Sequence, residues 1–478
     1  GGSSLLITKS LAMATWCADN LRDLTGWKSS GLEMTNTTDE CAKLLDGSLR
    51  QLVSWRDCDQ LGGLLKTLEN LKNAGTNSPL TVSFLVCLDA MGLDKSTFSN
   101  PTFKAEVEAA EEMASRIGND REKKHLKAAA LWARGYLPEA QSTWEEILKE
   151  YPNDLMAVKF AHDSYFFAGD QQGKKVSVER VIEKWRDDEP CKSYLHGMYA
   201  FGLEECGEYD KAEKESLKAL SIRREDCWAT HARAHVLEME GRTKEGKEFM
   251  ESTREDWEPG WPLACHNHWH NSLYYIEDGD YETPLTMFDE QVGPRSTASQ
   301  GMLDLVDAAS LLWRLELEGV HVGKERWRSL PSLKDHLHDH VISFNDAHFA
   351  FILKRGGYDE EEKQLHESLR SFVSSGPRNN NHRVAQLVGL PLYEALTAFA
   401  DGDYDKTVQL LMPVREHVHL IAGSHAQNDV FRQTLIHACL RSGRDEHREY
   451  AKVLLAEREE KKSHSGIARR LREKLSAM

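Results

Sequence analysis

The chain has 478 residues, of which 40% are hydrophobic and 29% are charged, so it holds enough apolar material for a large core. Its formal net charge of −17 argues against a nucleic-acid partner and against an anionic membrane surface. No run approaches the roughly 18 consecutive apolar residues that a membrane span needs. The nine cysteines are scattered without a Cys-x-x-Cys pair, which predicts reduced thiols and a cytoplasmic setting.

Residues 5–120 are predicted to form an N-terminal helical region. Its clearest segment, "DECAKLLDGSLRQLVSW", places apolar residues at helical spacing. We expect Asp39 to cap the start of this helix, because a carboxylate accepts hydrogen bonds from the first free N–H groups. The region keeps no clear repeat.

Residues 121–320 carry a repeat that is marked by glycines. Turn segments begin at Gly135, Gly169, Gly207, Gly241 and Gly279, at intervals of 34, 38, 34 and 38 residues. A helical hairpin recurring about every 34 residues is typical of a tetratricopeptide array. We therefore predict an all-α, tetratricopeptide-like solenoid of helical hairpins, in which each glycine ends an inner helix. Whether the solenoid closes around a central cavity stays open.

Residues 321–478 are predicted to form further helical repeats and a capping helix. The segment "GDYDKT" at Gly402 resumes the repeat pattern. Between Gly319 and Gly389 the period breaks, and "KRGGYDEEEK" and "SSGPRNNNH" are typical of loops between further helices.

Two adjacent inner helices each carry a His-x-x-x-His pair: His231 with His235, and His266 with His270. Counted back from their turn glycines, the four fall within roughly 100° of one another on a superposed helix. An i, i+4 pair can share one metal ion, so two pairs could supply four nitrogen ligands. The alternatives are imidazoles bonded to carboxylates or backbone without chemistry, and metal-free acid–base work. His268 points elsewhere by the same arithmetic.

Carboxylates and further polar residues accompany the pairs. The predicted catalytic candidates, which could be ligands, partners orienting an imidazole or proton acceptors, are Glu238, Asp304, Asp307, Asp346 and His348. The other pocket candidates are His162, Asp163, His336, His340, Asn345, Asp429, Gln433 and His437. Neither a Walker pattern nor Gly-x-Gly-x-x-Gly occurs, so no nucleotide cofactor is predicted.

Six segments, in order, resemble the tetratricopeptide repeat protein 38 family: "LMAVKFAHDSYFFAG", "THARAHVLEMEG", "LACHNHWHNSLYYIEDGDYE", "MLDLVDAASLLWRLELEGV", "HVISFNDAHFAF" and "GSHAQNDVFRQTLIHACL". The resemblance runs from about residue 30 to about residue 460 and covers all of the candidate residues named above. It implies an all-helical repeat fold and a cytosolic setting, and it implies no particular reaction. The chain departs from the family at Leu237, where a histidine is expected, and at His268, where an aromatic residue is expected.

Two functions of different class follow. The first is a small-molecule enzyme with a metal-binding pocket on the concave face, holding zinc, iron or copper for hydrolysis, elimination or oxygen chemistry. The second is a non-catalytic scaffold that binds a peptide or protein partner in its groove. The predicted inner helices carry His, Asp and Glu rather than the Lys, Arg and Asn that clamp acidic peptide tails, which favours the first. A catalytically silent metal or small-molecule binder is a third possibility.

Overall fold

A computed structural model describes residues 16–261 and 263–478. Every regular element in these residues is helical, and they contain no β-strand. Residues 5–15 of the predicted N-terminal region lie outside the described residues. None of the described helices combines the length and apolar character that crossing a bilayer requires.

The helices follow one another in chain order as here. In the N-terminal region they are α1 (Leu24–Ser29), α2 (Asp39–Ser54), α3 (Leu64–Ala74), α4 (Pro79–Met91) and α5 (Pro101–Arg116), with 3₁₀ turns at Trp16–Ala18 and Asp59–Leu61. In the central region they are α6 (Asp120–Ala133), α7 (Leu137–Glu150), α8 (Leu155–Phe167), α9 (Gln171–Ile182), α10 (Lys192–Glu205), α11 (Tyr209–Ile222), α12 (Cys227–Met239), α13 (Thr243–Ser252), α14 (Arg254–Trp257), α15 (Leu263–Glu277), α16 (Glu282–Met287), a π-turn (Phe288–Val292), α17 (Gly293–Ser299) and α18 (Met302–Leu317). In the C-terminal region they are α19 (Lys324–Arg328), α20 (Ser343–Arg355), α21 (Asp359–Ser375), α22 (Asn380–Val384), a π-turn (Ala385–Gly389), α23 (Leu390–Ala400), α24 (Tyr404–Leu411), a 3₁₀ segment (Met412–Ile421), α25 (His425–Arg441), α26 (Asp445–Lys461) and α27 (Gly466–Ser476).

The predicted all-α, tetratricopeptide-like solenoid is confirmed. Successive helices pack as hairpins, and the turn glycines adopt the left-handed conformation that the pattern implied, with φ of 77° at Gly207 and 72° at Gly241. A residue with a side chain pays a steric cost in this conformation, whereas glycine does not. Inner helices α10, α12, α15 and α18 then stack side by side along the array.

Two local predictions are corrected. The N-cap of α2 is Thr38, whose hydroxyl accepts from the backbone N–H of Cys41, and Asp39 is the first helical residue. The hairpins also continue through the segment where the period breaks, because Gly357 of "KRGGYDEEEK" is itself the left-handed turn between α20 and α21. The short helix α19 and the irregular chain after it lengthen the interval and hide the register.

The C-terminal helices pack back onto the concave side of the central repeats. Helix α25 contacts α12 and α18, and the indole N–H of Trp313 donates to the hydroxyl of Thr434 at 3.0 Å. Helix α27 contacts α15. The inner helices are therefore covered on both sides, which buries nearly every residue of α12, polar ones included.

Candidate metal centre

The four histidines lie on the adjacent inner helices α12 and α15. Helix α12 starts where the Asp226 carboxylate accepts from the N–H of Ala229 at 3.0 Å, which holds the first turn. His231 and His235 lie one turn apart on α12, and His266 and His270 lie one turn apart on α15. Because the two helices pack on each other, the two pairs face across the contact.

The four imidazoles converge through their Nε2 atoms. The Nε2 atom of His231 lies 2.9 Å from that of His235 and 3.1 Å from that of His266, and the Nε2 atoms of His266 and His270 lie 3.0 Å apart. One ligand atom from each of the four residues falls within 4.8 Å of every other. Four nitrogen donors therefore surround one point.

The cluster is buried and opens at one ring. His231, His235 and His270 are 1%, 0% and 0% exposed, whereas the side chain of His266 is 15% exposed. Burial lowers the pKa of His231, His235 and His270 well below the ordinary value, and the neighbouring imidazoles lower it further. These three rings are neutral at physiological pH, which is the state in which imidazole binds metals.

A carboxylate orients the partly exposed ring. The Nδ1 atom of His266 lies 2.9 Å from Oδ2 of Asp307, on the opposite side of the ring from Nε2. Asp307 in turn lies beside Asp304 and Cys265, and these three buried side chains could themselves hold a cation. Burial, followed by the charge of Asp307, raises the pKa of Asp304 to about 6, although the Ser299 hydroxyl donates to it.

Two glutamates beside the cluster escaped the sequence prediction. The Oε2 atom of Glu204 lies 3.7 Å from Nδ1 of His235, and both groups are fully buried. Glu205 follows on the same helix and is paired with Lys174 at 3.0 Å. A signal for them was available, because Glu204 stands three residues before Gly207 as Glu238 stands three before Gly241.

Aromatic rings pack around the imidazoles and were also missed. Trp228 stacks on His231 with centroids 4.5 Å apart, and Trp269 stacks on His266 at 5.3 Å. Trp228 also stacks on Trp55 of the N-terminal region at 5.6 Å. Tryptophan at these positions is typical of an ordinary core in a sequence, so only the packing identifies it as a wall of the cluster.

His268 lies apart from the cluster, as the angular arithmetic predicted. Its Nε2 atom pairs with Glu258 at 2.8 Å, and its ring packs on Trp257. Three histidines within five residues thus divide between two different environments on α15.

Several other candidates form internal pairs. Glu238 pairs with Lys462 at 3.3 Å, so its charge is met by the C-terminal region. Asp429 forms a two-point ion pair with Arg458, at 2.6 and 2.9 Å, and accepts from Gln433.

The candidates from the segment around α20 have partners of their own. His336 pairs with Asp339 at 2.7 Å, and His340 pairs with Asp346 at 3.1 Å. Asn345 donates to the carbonyl of Leu93 at 3.0 Å, which ties this segment to the N-terminal region.

The remaining candidates are buried singly. His348 donates or accepts at the carbonyl of Phe344 and is ringed by phenylalanines, and His437 contacts Arg441. The structure places His162 against Phe201 and Trp228 with neither ring nitrogen hydrogen-bonded, and its neighbour Asp163 pairs with Lys159 at 3.0 Å.

A separate cavity of about 960 Å³ lies between the repeat turns and the C-terminal helices. Glu205 and Glu238 line it from the repeats, and Arg415, Arg432 and Lys462 line it from the C-terminal side. None of the four clustered histidines lines this cavity.

Comparison with known proteins places no family on the chain, since no protein-family model matches it. Among solved structures, Cut9 from the APC/C hetero-tetramer Cut9–Hcn1 is similar at 12% identity, over 94% of this chain and 80% of that chain, with a TM-score of 0.41. The human IFIT1 dimer with m7Gppp-AAAA is similar at 13% identity, over 96% and 98% of the two chains, with a TM-score of 0.34. Likeness at this level carries no inference about function.

Proposed function

We propose that this protein binds a divalent transition-metal ion through the Nε2 atoms of His231, His235, His266 and His270. The observation that carries the proposal is the convergence of these four buried atoms, with contacts of 2.9–3.1 Å. Imidazole nitrogen is a ligand that zinc, iron and copper accept.

The protons available to the rings support a cation among them. Asp307 accepts from Nδ1 of His266, so a neutral His266 presents a lone pair at Nε2. A single proton on Nε2 of His231 would then be shared between two acceptors in a buried place. A cation at the centre accepts all four lone pairs, which removes the repulsion between them.

The carboxylates around the imidazoles fit such a site. Asp307 is a positioning residue, since it fixes the tautomer and direction of His266. Glu204 is placed to do the same for His235 after a small side-chain movement. Asp304, whose pKa of about 6 lies close to neutrality, is the candidate to accept a proton during a reaction.

Metal analysis of protein purified without a histidine tag tests the site. We expect about one equivalent of bound ion, lost in the double variant His235→Gln, His270→Gln, because two of four ligands are removed. The matched control is His268→Gln, which changes a buried histidine on the same helix and should keep the ion. Metal-free wild-type protein, or a folded double variant that retains the ion, would overturn the proposal.

We propose further that the ion serves chemistry on a small molecule. The carboxylates beside the imidazoles and the partly exposed edge of His266 support this. Metal-loaded protein incubated with a metabolite extract should consume a small molecule, as followed by mass spectrometry, and the double variant should not. Equal turnover by both proteins would count against an enzyme. On the six segments quoted above, we also propose membership in the tetratricopeptide repeat protein 38 family.

A second candidate function, a scaffold for a peptide or protein partner, is supported by the 960 Å³ cavity. Its lining carries both acidic and basic side chains and is separate from the imidazoles, so a polar segment could bind there without touching the cluster. A photo-crosslinking residue at Arg432 should capture a partner that one at the exposed Leu65 does not. Equal capture at both positions would argue against this cavity as the docking place.

A further inference from the structure

The four nitrogens are arranged at right angles rather than at tetrahedral corners. Five of the six ring pairs in the cluster have centroids 4.3–4.9 Å apart. Among these four described side chains, only the pair His235 and His266 has no such ring contact, so these two rings lie across the cluster from each other. One opposed pair and five neighbouring pairs describe four corners of an octahedron.

The Nε2 separations support the same geometry by their length. Donors at right angles around an ion are separated by about 1.4 times the metal–nitrogen distance, so contacts near 3.0 Å imply a distance of about 2.1 Å. Tetrahedral donors are separated by about 1.6 times that distance, so the same contacts would imply about 1.8 Å, which is shorter than the zinc–nitrogen bond of about 2.0–2.1 Å.

The other imidazole-binding ions fit less well than iron. Copper(II) and nickel(II) favour four donors in one plane, which requires two opposed pairs. His231 and His270 would form the second opposed pair, but their ring centroids lie only 4.9 Å apart, so the four donors do not share a plane. Iron(II) accepts nitrogen ligands with neighbouring positions left for exchange, as in the non-haem oxygenases.

Resting on the metal site proposed above, the geometry points to six-coordinate iron(II), with these imidazoles at four corners and two adjacent corners for a small molecule that chelates through two oxygens. A 2-oxo or 2-hydroxy acid has this chemistry, because its carboxylate and neighbouring oxygen span two adjacent positions. Access is from the edge of His266, the one partly exposed ring of the four. Asp307 holds that ring from behind, so ligand exchange at this edge does not release it.

Metal preference is the first test. Metal-free protein is loaded anaerobically with iron(II) or with zinc, and X-ray absorption reports the coordination number. We expect six light-atom neighbours around iron at about 2.1 Å. The variant His270→Gln should weaken iron binding by at least about tenfold, because it removes a ligand, and His268→Gln should not. Circular dichroism of both variants checks that they are folded.

Ligand exchange is the second test. Nitric oxide added to the iron(II) protein should produce the electron paramagnetic resonance signal of a high-spin iron–nitrosyl. Oxalate, which chelates through two oxygens, should suppress this signal, whereas acetate at the same concentration should leave it. Suppression by acetate would mean a single exchangeable position and would overturn the inference.

The two proposals fail in different ways. A protein that binds four-coordinate zinc and no iron overturns the six-coordinate iron(II) assignment and leaves the four-histidine site standing. A protein that binds no ion overturns both.

Discussion

At the scale of single residues, buried polar groups identify the site better than residue type does. The chain contains 21 histidines, yet the described four that converge are those whose Nε2 atoms meet on two facing helices. His268 shows the contrast, since it is equally buried and has an ordinary partner in Glu258. What separates the two classes is whether a protein partner already satisfies the ring.

Removal of the Asp307 charge should weaken metal binding without unfolding the protein. In Asp307→Asn the side chain is nearly isosteric but no longer favours the N–H at Nδ1 of His266, so metal affinity should fall by roughly 10- to 100-fold. Competition against a chelator measures the affinity. Asp304→Asn is the comparison, since Asp304 touches Ser299 rather than an imidazole. Equal loss in both variants would show that burial of charge, not ring orientation, is responsible.

His348 should make stability fall in mild acid. Burial lowers the pKa of His348 to about 4, so the unfolded chain binds a proton below pH 6.5 that the folded protein does not. Its contribution to the unfolding free energy is present above pH 6.5 and is lost progressively as the pH falls towards 4, by about 3 kcal/mol.

Urea unfolding at several pH values checks the His348 prediction. His348→Gln can still donate to the Phe344 carbonyl but does not titrate. The variant should therefore lose less stability between pH 6.5 and 4 than the wild type. Parallel curves for the two proteins would show that His348 is not the titrating group.

At the scale of elements, the left-handed glycine ends each inner helix and sets where its side chains face. The hairpin turn positions Glu204 and Glu238 equivalently on α10 and α12, three residues before Gly207 and Gly241. Long inner helices such as α15 shift their histidines relative to the turn, and the packing of α12 on α15 compensates for the shift.

Two turn glycines should differ in their tolerance of alanine. Gly207 has φ of 77° and open space where a Cβ would lie, so Gly207→Ala should cost only the conformational strain of about 1–2 kcal/mol. Gly169 has a similar φ of 69°, but a Cβ there would collide with the backbone of His419 and Leu420. Gly169→Ala should therefore cost more and loosen the Met412–Ile421 segment. Urea midpoints measure both, and equal losses would contradict the packing argument.

At the scale of the whole molecule, an ion at the cluster would join two repeats and the elements that cover them. Helices α12 and α15 supply the ligands, and α25 and α27 pack on these same helices. Binding energy at the cluster therefore stabilises a large part of the array, because each repeat depends on its neighbours.

Metal should raise the unfolding temperature of the whole chain. Free ion at about 1,000 times its Kd stabilises the folded state by about 4 kcal/mol if the unfolded chain does not bind it. Calorimetry with and without a chelator measures the effect. The difference should vanish in His235→Gln, His270→Gln and persist in His268→Gln. A chelator effect of the same size in the double variant would place the stabilising ion elsewhere.

The amino-acid sequence by itself determined the repeat and the faces of its helices. Glycine spacing and helical periodicity are local, so they predicted the hairpins, the pairing of His231 with His235 and of His266 with His270, and the exclusion of His268. Only the tertiary structure decided that Asp307 bonds to His266, that Glu204 lies beside His235, and that Asp429 is held by Arg458. These contacts join helices far apart in the chain, and they depend on how the solenoid curves, which is set by packing between repeats rather than by any local pattern.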